Sequence, residues 1–238
     1  MTDTNKFTGK ADAYAAGRPG YAAGAIDFIC GLLPIGAAIA DVGAGTGKFT
    51  QPLAARGCEI FAVEPNGEMR GKIVARSNLH VIDGTAEATG LADQSVDAVT
   101  CAQAFHWFDP EGFRRECQRI LRPGGRVFVI YNRPVDERHD EALAWWNSGE
   151  TNSARTKIER RLPDLQEFFG PGLREERFPH TVVSDAARWE QSMLSHSVSP
   201  LPGDAAYDRF IESVRAVFAR CQVDGTMSVT YETIVYTA

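Results

Sequence analysis

DVGAGTGKFT, residues 41–50, decides how this chain is read. The apolar run AIADVG (38–43) leads into it, and a segment with helical spacing (48–56) follows. A short apolar run ending at glycine reads as a buried strand, so the stretch is a strand, a tight glycine turn and a helix. In an open parallel sheet, ligands bind at the carboxyl ends of such strands. Glycines there let the backbone turn sharply and approach a ligand closely. Gly43, Gly45 and Gly47 give the spacing G-x-G-x-G. The dinucleotide fingerprint needs a third glycine where Lys48 stands. The nucleotide P-loop needs four residues between its glycines and then Lys-Ser/Thr, but Phe49 follows Lys48. Both phosphate-binding patterns fit poorly.

The same alternation extends outward. Helical spacing at 22–33 precedes the loop. After it come strand-like runs EIFAVE (59–64), LHVID (79–83), SVDAVTCA (95–102) and RVFVIYN (126–132). Helical segments at 67–75 and 109–121 lie between them, the latter with Asp109 as N-cap and Pro110 at its first position. PGG (123–125) reads as a turn. Strands alternating with helices define an α/β, doubly wound, Rossmann-like parallel sheet, and the continuous apolar strands require cover on both faces. Beyond residue 133 the texture changes. Residues 134–170 are charged and helical, 174–184 reads as a strand, 185–197 and 204–221 as helices, and 226–238 as a terminal strand. We expect a single domain over 1–238: an N-terminal arm over the cofactor (1–21), a cofactor-binding core (22–133), a helical insert or lid with one sheet strand (134–205), and a C-terminal helix and strand (206–238).

The net charge of −6 and the lack of a basic run argue against a nucleic-acid partner. The N-terminal residues have no apolar signal core, and no run approaches the ~18 apolar residues that span a bilayer. Five scattered cysteines without a CxxC pair read as buried free thiols in a reducing compartment. The expectation is a cytoplasmic protein with no membrane partner. None of the five histidines has metal-ligand spacing, so no metal is expected.

Glu64 ends the second strand about twenty residues after the glycine loop, where a carboxylate can accept two ribose hydroxyls. Asp83, Thr85 and Glu87 follow the third strand, at the same edge. A ribose clamp and an adenine shelf without a phosphate cradle point to a nucleoside that lacks pyrophosphate.

Here the chain resembles the class I S-adenosylmethionine (SAM)-dependent methyltransferases, in particular the small-molecule branch with the trans-aconitate and ubiquinone/menaquinone-type enzymes. The resemblance runs from about residue 7 to 133, carried by DVGAGTGKFT, AVEPNGEMR, GTAEATGLADQSVDAVTCAQAFHWFD and ECQRILRPGGRVFVIYN. It implies a seven-stranded sheet whose last strand is antiparallel, and SAM as cofactor. It also implies that Asp41, Gly43, Gly45 and Gly47 hold the methionine part, that Glu64 holds the ribose with Pro65 and Met69 near the adenine, that Thr85, Ala86 and Glu87 line the adenine, and that Gln103 sits near the sulfonium.

Methyl transfer from a sulfonium is an in-line displacement, so the protein mainly supplies alignment. A base is needed only where the acceptor carries a proton. His106, in CAQAFHWFD (101–109), is the candidate base, and its alternative role is a polar hinge or cofactor contact. Arg18 and Tyr14, in the arm AYAAGRPGY (13–21), are candidate substrate contacts, with Arg18 suited to a carboxylate. Tyr21, Tyr131, Asn132 and Arg133 are further candidates for the pocket, as is one tryptophan of AWW (144–146). The expected function is methyl transfer to oxygen of a small-molecule acceptor, a small carboxylic acid first. The alternatives are an NAD(P)-dependent oxidoreductase and a non-catalytic SAM-binding module.

Overall fold

The computed structural model describes residues 16–144, 162–196 and 199–238. Seven strands form one sheet: β1 (Ala38–Val42), β2 (Glu59–Val63), β3 (Leu79–Ile82), β4 (Val96–Ala102), β5 (Leu121–Pro134), β6 (Arg174–Ser184) and β7 (Met227–Thr237). Their order is β3-β2-β1-β4-β5-β7-β6. The pairings β1–β2, β2–β3, β1–β4 and β4–β5 are parallel, whereas β7 runs antiparallel to both β5 and β6. The antiparallel last strand is therefore present, inserted between β5 and β6. The chain winds outward from β1 to β3 and then returns to place β4 on the other side of β1. That reversal opens a crevice at the carboxyl ends of β1 and β4.

Helices cover both faces. They are α1 (Ala23–Gly31), α2 (Thr50–Ala55), α3 (Gly67–Arg70), α4 (Pro110–Ile120), α5 (Glu137–Ala144), α6 (Leu162–Phe169), α7 (Ala186–Leu194) and α8 (Tyr207–Cys221). Along β1, Ile39 joins the apolar cluster under α1 and α2, while Ala40 and Val42 join the cluster under α4 and α6. A strand buried on both faces has no polar side to show, which is why its sequence runs apolar. A third cluster joins Ala142 and Leu143 of α5, Trp189 and Met193 of α7, and five residues of α8 to the first half of β7. Among the described residues, no helix is long and apolar enough to cross a membrane.

Local signals hold where side chains satisfy backbone groups. Asp109 accepts from the Gly112 amide at 3.0 Å, and Asp185 accepts from Arg188 at 2.8 Å, so each caps its helix. The helix expected over 67–75 stops at Arg70. Ile73 instead turns in to pack against the glycine loop, within 3.3 Å of where a side chain on Gly47 would begin. The turn at 123–125 lies inside β5 as a bulge: Val96 pairs with Leu121, and Ala98 pairs with Arg126.

Glu116 on α4 fastens the 83–91 loop. Its Oε1 accepts from the Thr89 amide (2.7 Å) and hydroxyl (2.6 Å), and Arg119 donates to both carboxylate oxygens. Burial opposes its ionisation, but Arg119 and Thr89 outweigh that and hold its pKa at about 2. Glu116→Ala strips an acceptor from two buried donors and should cost about 1.5–3 kcal/mol in urea denaturation.

The cysteines are not uniformly buried: Cys30 and Cys221 are half-exposed. Cys30 Sγ lies 3.8 Å from Cys58 Sγ. A hydrogen bond from the Cys58 thiol, with Arg56 nearby, lowers the Cys30 pKa to about 7 against the opposing effect of burial. Iodoacetamide at neutral pH should therefore label Cys30 before the other four cysteines, as read by peptide mass spectrometry.

Candidate active site

The glycine loop starts where β1 ends. The Gly43 and Ala44 amides donate to Val63 O at 2.9 and 3.1 Å, which folds the loop back onto the end of β2. Gly43 has φ 70°, and a Cβ there would lie 2.6 Å from the Ala104 Cβ. Only glycine meets both demands. Gly45 and Gly47 also sit at positive φ, 58° and 81°.

Glu64 links two loops. Its Oε2 accepts from the Gly45 amide at 2.8 Å and its Oε1 from the Asn66 amide at 2.9 Å. Burial raises its pKa, opposed by those two bonds and by Arg70. Arg70 also donates to Glu64 O and Pro65 O and pairs with Asp83 at 2.9 Å, so Asp83 faces Arg70 at the surface. Met69 is buried beneath this turn, its amide capped by Asn66 Oδ1 at 3.1 Å. In the next loop Thr85 and Ala88 bond each other's backbone, Ala86 is buried, and Glu87 accepts from the Asp109 amide at 3.0 Å. Glu87 thus ties the 83–91 loop to the start of α4.

Asp41 lies behind the glycine loop, 1% exposed, with Oδ2 accepting from Thr50 (2.6 Å) and Oδ1 from Thr100 (2.8 Å). Burial raises its pKa to about 6, opposed by the two hydroxyls and raised a little further by Glu64. Beside it, Thr46 Oγ1 is buried with no hydrogen-bond partner among the described residues. Gln103, just past β4, holds φ 58°, a costly angle for a residue with a side chain. Its amide donates to Ile130 O at 2.8 Å and its side chain to Asn132 O, so the strain is fixed by β5.

At Gln103 there is a narrow cleft, lined also by Arg18, Lys48, Asn132, His139, His196 and Tyr231. Arg18 is brought in because Gly20 O accepts from Asn132 Nδ2 at 3.0 Å and lies 3.1 Å from His180 Nε2. Burial, with Arg188 nearby, lowers the Lys48 pKa. No carboxylate lines the cleft among the described residues.

His106 is not among the residues lining this cleft. It sits on a 3-10 turn (Phe105–Trp107), its ring 4.7 Å from Trp107 and 6.4 Å from Tyr131. Arg133 pairs with Glu232 at 2.8 Å. Tyr14, Trp145 and Trp146 lie outside the described residues. His139, His196 and Tyr231 were missed as site residues, since nothing near them in sequence marks them. Lys48 registered only as a mismatch to the dinucleotide fingerprint.

Residues 40–129 match the family model described as methyltransferase domain. An uncharacterized methyltransferase of Mycobacterium tuberculosis is 44% identical over 141 residues, which is 58% of this chain and 55% of that protein. The chain thus matches about half the length of such curated relatives. A solved structure assigned as a type II methyltransferase, from Anaeromyxobacter dehalogenans, superposes with TM-score 0.70 at 19% identity, covering 93% of this chain and 97% of that one. A SAM-dependent methyltransferase from Geobacter sulfurreducens, solved with S-adenosyl-L-homocysteine, superposes with TM-score 0.54 at 14% identity over 100% and 99% of the two chains. The sheet with its reversed last strand is the Rossmann-like methyltransferase fold. Over residues 40–129 the chain is similar to the methyltransferase domain family, and its fold is the one shared by the SAM-dependent methyltransferase structures.

Proposed function

We propose that the protein transfers a methyl group from SAM to an oxygen of a small carboxylic acid. The observation that carries this reading is the cleft beside Gln103, lined by Arg18 and Lys48 with no acidic side chain among its described residues. Such a lining favours an anionic small molecule.

The residues on the cofactor side fit SAM. The left-handed glycine turn leaves no room for a Cβ at Gly43, Glu64 offers a buried carboxylate, and the buried Thr46 hydroxyl awaits a partner. SAM supplies an activated methyl on sulfur. Gly43, Gly45 and Gly47 would receive its methionine portion with Asp41 behind them, Glu64 its ribose, and Pro65, Met69, Thr85, Ala86 and Glu87 its adenine. Gln103, fixed by β5, would stand between the sulfonium and the acceptor cleft. Arg18 and Lys48 orient the acceptor, and an orientation held at ~3–3.5 Å in line contributes several kcal/mol to the rate. A carboxylate acceptor has no proton to lose, so His106 need not act as a base. Calorimetry against SAM, S-adenosylhomocysteine and NADH should give one-to-one binding of the first two only. Methyl transfer to a panel of carboxylic acids should follow. Heat from NADH alone would return the glycine loop to the oxidoreductase reading, and SAM binding without transfer to any acceptor would favour a binding module.

A further inference from the structure

His139 and His196 have no place in the function as stated, yet both line the acceptor cleft. One is on α5 and the other just follows α7. Their Nε2 atoms are 3.1 Å apart and their rings meet edge to face at 4.9 Å. That contact requires one Nε2 to carry a proton and the other to accept it. His139 is 1% exposed, between the rings of Trp189 (6.4 Å) and Tyr231 (6.3 Å). Its Nδ1 is buried without a hydrogen-bond partner among the described residues, and Asp140 Oδ1 lies 3.9 Å away.

Such a pair has two good charge states. Neutral, it shares one proton between the Nε2 atoms. With one more proton, on His139 Nδ1, the His139 Nε2–H donates to His196 and the Nδ1–H faces Asp140. Among the described residues, the charged and titratable groups around the pair are Asp136 just before α5, Asp140 on α5, Arg18 from the N-terminal side, Tyr231 on β7, and Arg188 of α7 with Lys48. Burial, helped by Arg18, pushes the His139 pKa down, against Asp140 and Asp136. With the cleft empty, His139 is therefore disposed to be neutral at neutral pH. A carboxylate entering among Arg18, Lys48 and the pair reverses the balance.

We propose that the cleft takes up one carboxylate of a small organic acid together with one proton, which His139 accepts, and that this anchored carboxylate is not the oxygen that is methylated. The second clause follows from the chemistry. A carboxylate held by the Arg18 and Lys48 donors, with the charge of the histidine cation nearby, has its lone pairs engaged and is a poor nucleophile. The acceptor class is a small acid with a second oxygen function, either another carboxylate or a hydroxyl that gives up its proton to water as the methyl arrives. This rests on the methyltransferase reading and narrows its substrate.

The test uses the full-length protein saturated with S-adenosylhomocysteine. Succinate and 4-hydroxybutyrate are titrated calorimetrically in HEPES and in Tris, whose ionisation heats differ, with succinamide as the uncharged control. At least one acid should bind with uptake approaching one proton per site, weakening by up to about tenfold per pH unit above neutrality. Succinamide should not bind. His139→Gln, checked for folding by its thermal melt, should bind the acid without proton uptake. His196→Gln, which removes the partner of the shared proton, should also lower the uptake. Binding without uptake, or uptake unchanged in His139→Gln, overturns the proposal. So does the absence of binding by either acid at millimolar concentration while S-adenosylhomocysteine binds. Failure of S-adenosylhomocysteine to bind would instead overturn the cofactor assignment beneath it. Methyl transfer to succinate but not 4-hydroxybutyrate, or the reverse, identifies the second oxygen function.

Discussion

Glu64→Ala should weaken SAM binding by about 1.5–3 kcal/mol, on the order of ten- to a hundredfold in Kd. The Glu64 carboxylate accepts from the Gly45 amide with one oxygen and from the Asn66 amide with the other. Each carboxylate oxygen has a second lone pair, so both remain able to accept a ribose hydroxyl. The alanine variant loses that charge-assisted pair, and it also releases the glycine loop from the end of β2. Glu64→Gln separates the two effects. Its carbonyl oxygen still accepts from one loop amide, but its NH2 cannot accept from the other loop or from a ribose hydroxyl. Its affinity should fall between wild type and alanine, with a smaller loss of thermal stability than alanine shows. Calorimetric titration of the three proteins with SAM reads the series. Wild-type affinity in the alanine variant would remove Glu64 from the ribose assignment.

The parts of the molecule that were legible are those whose partners lie close along the chain. The strand, turn and helix around residues 38–56 announce themselves through apolar runs and glycines, and Asp109 declares a helix start because a cap acts within three residues. Glu64 meets the loop residue Gly45 nineteen positions away across two adjacent parallel strands, a spacing set by one β-α-β unit. The cleft beside Gln103 is different. Arg18 is held by Asn132 through Gly20 O, and His139 meets His196 across 57 residues only because α5 and α7 share a core with α8 and β7. No periodicity encodes such a meeting. The failed extension of α3 is instructive too. Residues 71–75 have helical composition, yet Ile73 is needed against the glycine loop, and tertiary packing overrides propensity.

Asp41→Asn should stabilise the protein at neutral pH and not at acid pH. The Asp41 pKa rises from 3.8 to about 6 on folding, mainly through burial. Between those values the native state holds a proton that the unfolded chain has released. Stability therefore falls as pH rises through that window, and the deficit is fully present above it. A shift of this size corresponds to roughly 3 kcal/mol. Asparagine keeps the geometry without the charge: its carbonyl accepts from one hydroxyl of the Thr50–Thr100 pair, and its amide donates to the other once that hydroxyl rotates. Urea midpoints should rise in the variant above the folded pKa and match wild type near the unfolded value. A loss of stability equal at both pH values would show that the threonine hydroxyls need the carboxylate itself. SAM affinity then assigns the residue's role. Both carboxylate oxygens are engaged by hydroxyls behind the loop, so the expected role of Asp41 is to hold the glycine turn proposed for the methionine portion. Its asparagine variant should lose less affinity than Glu64→Ala. A larger loss would mean that the buried negative charge acts on the ligand directly through the glycine loop.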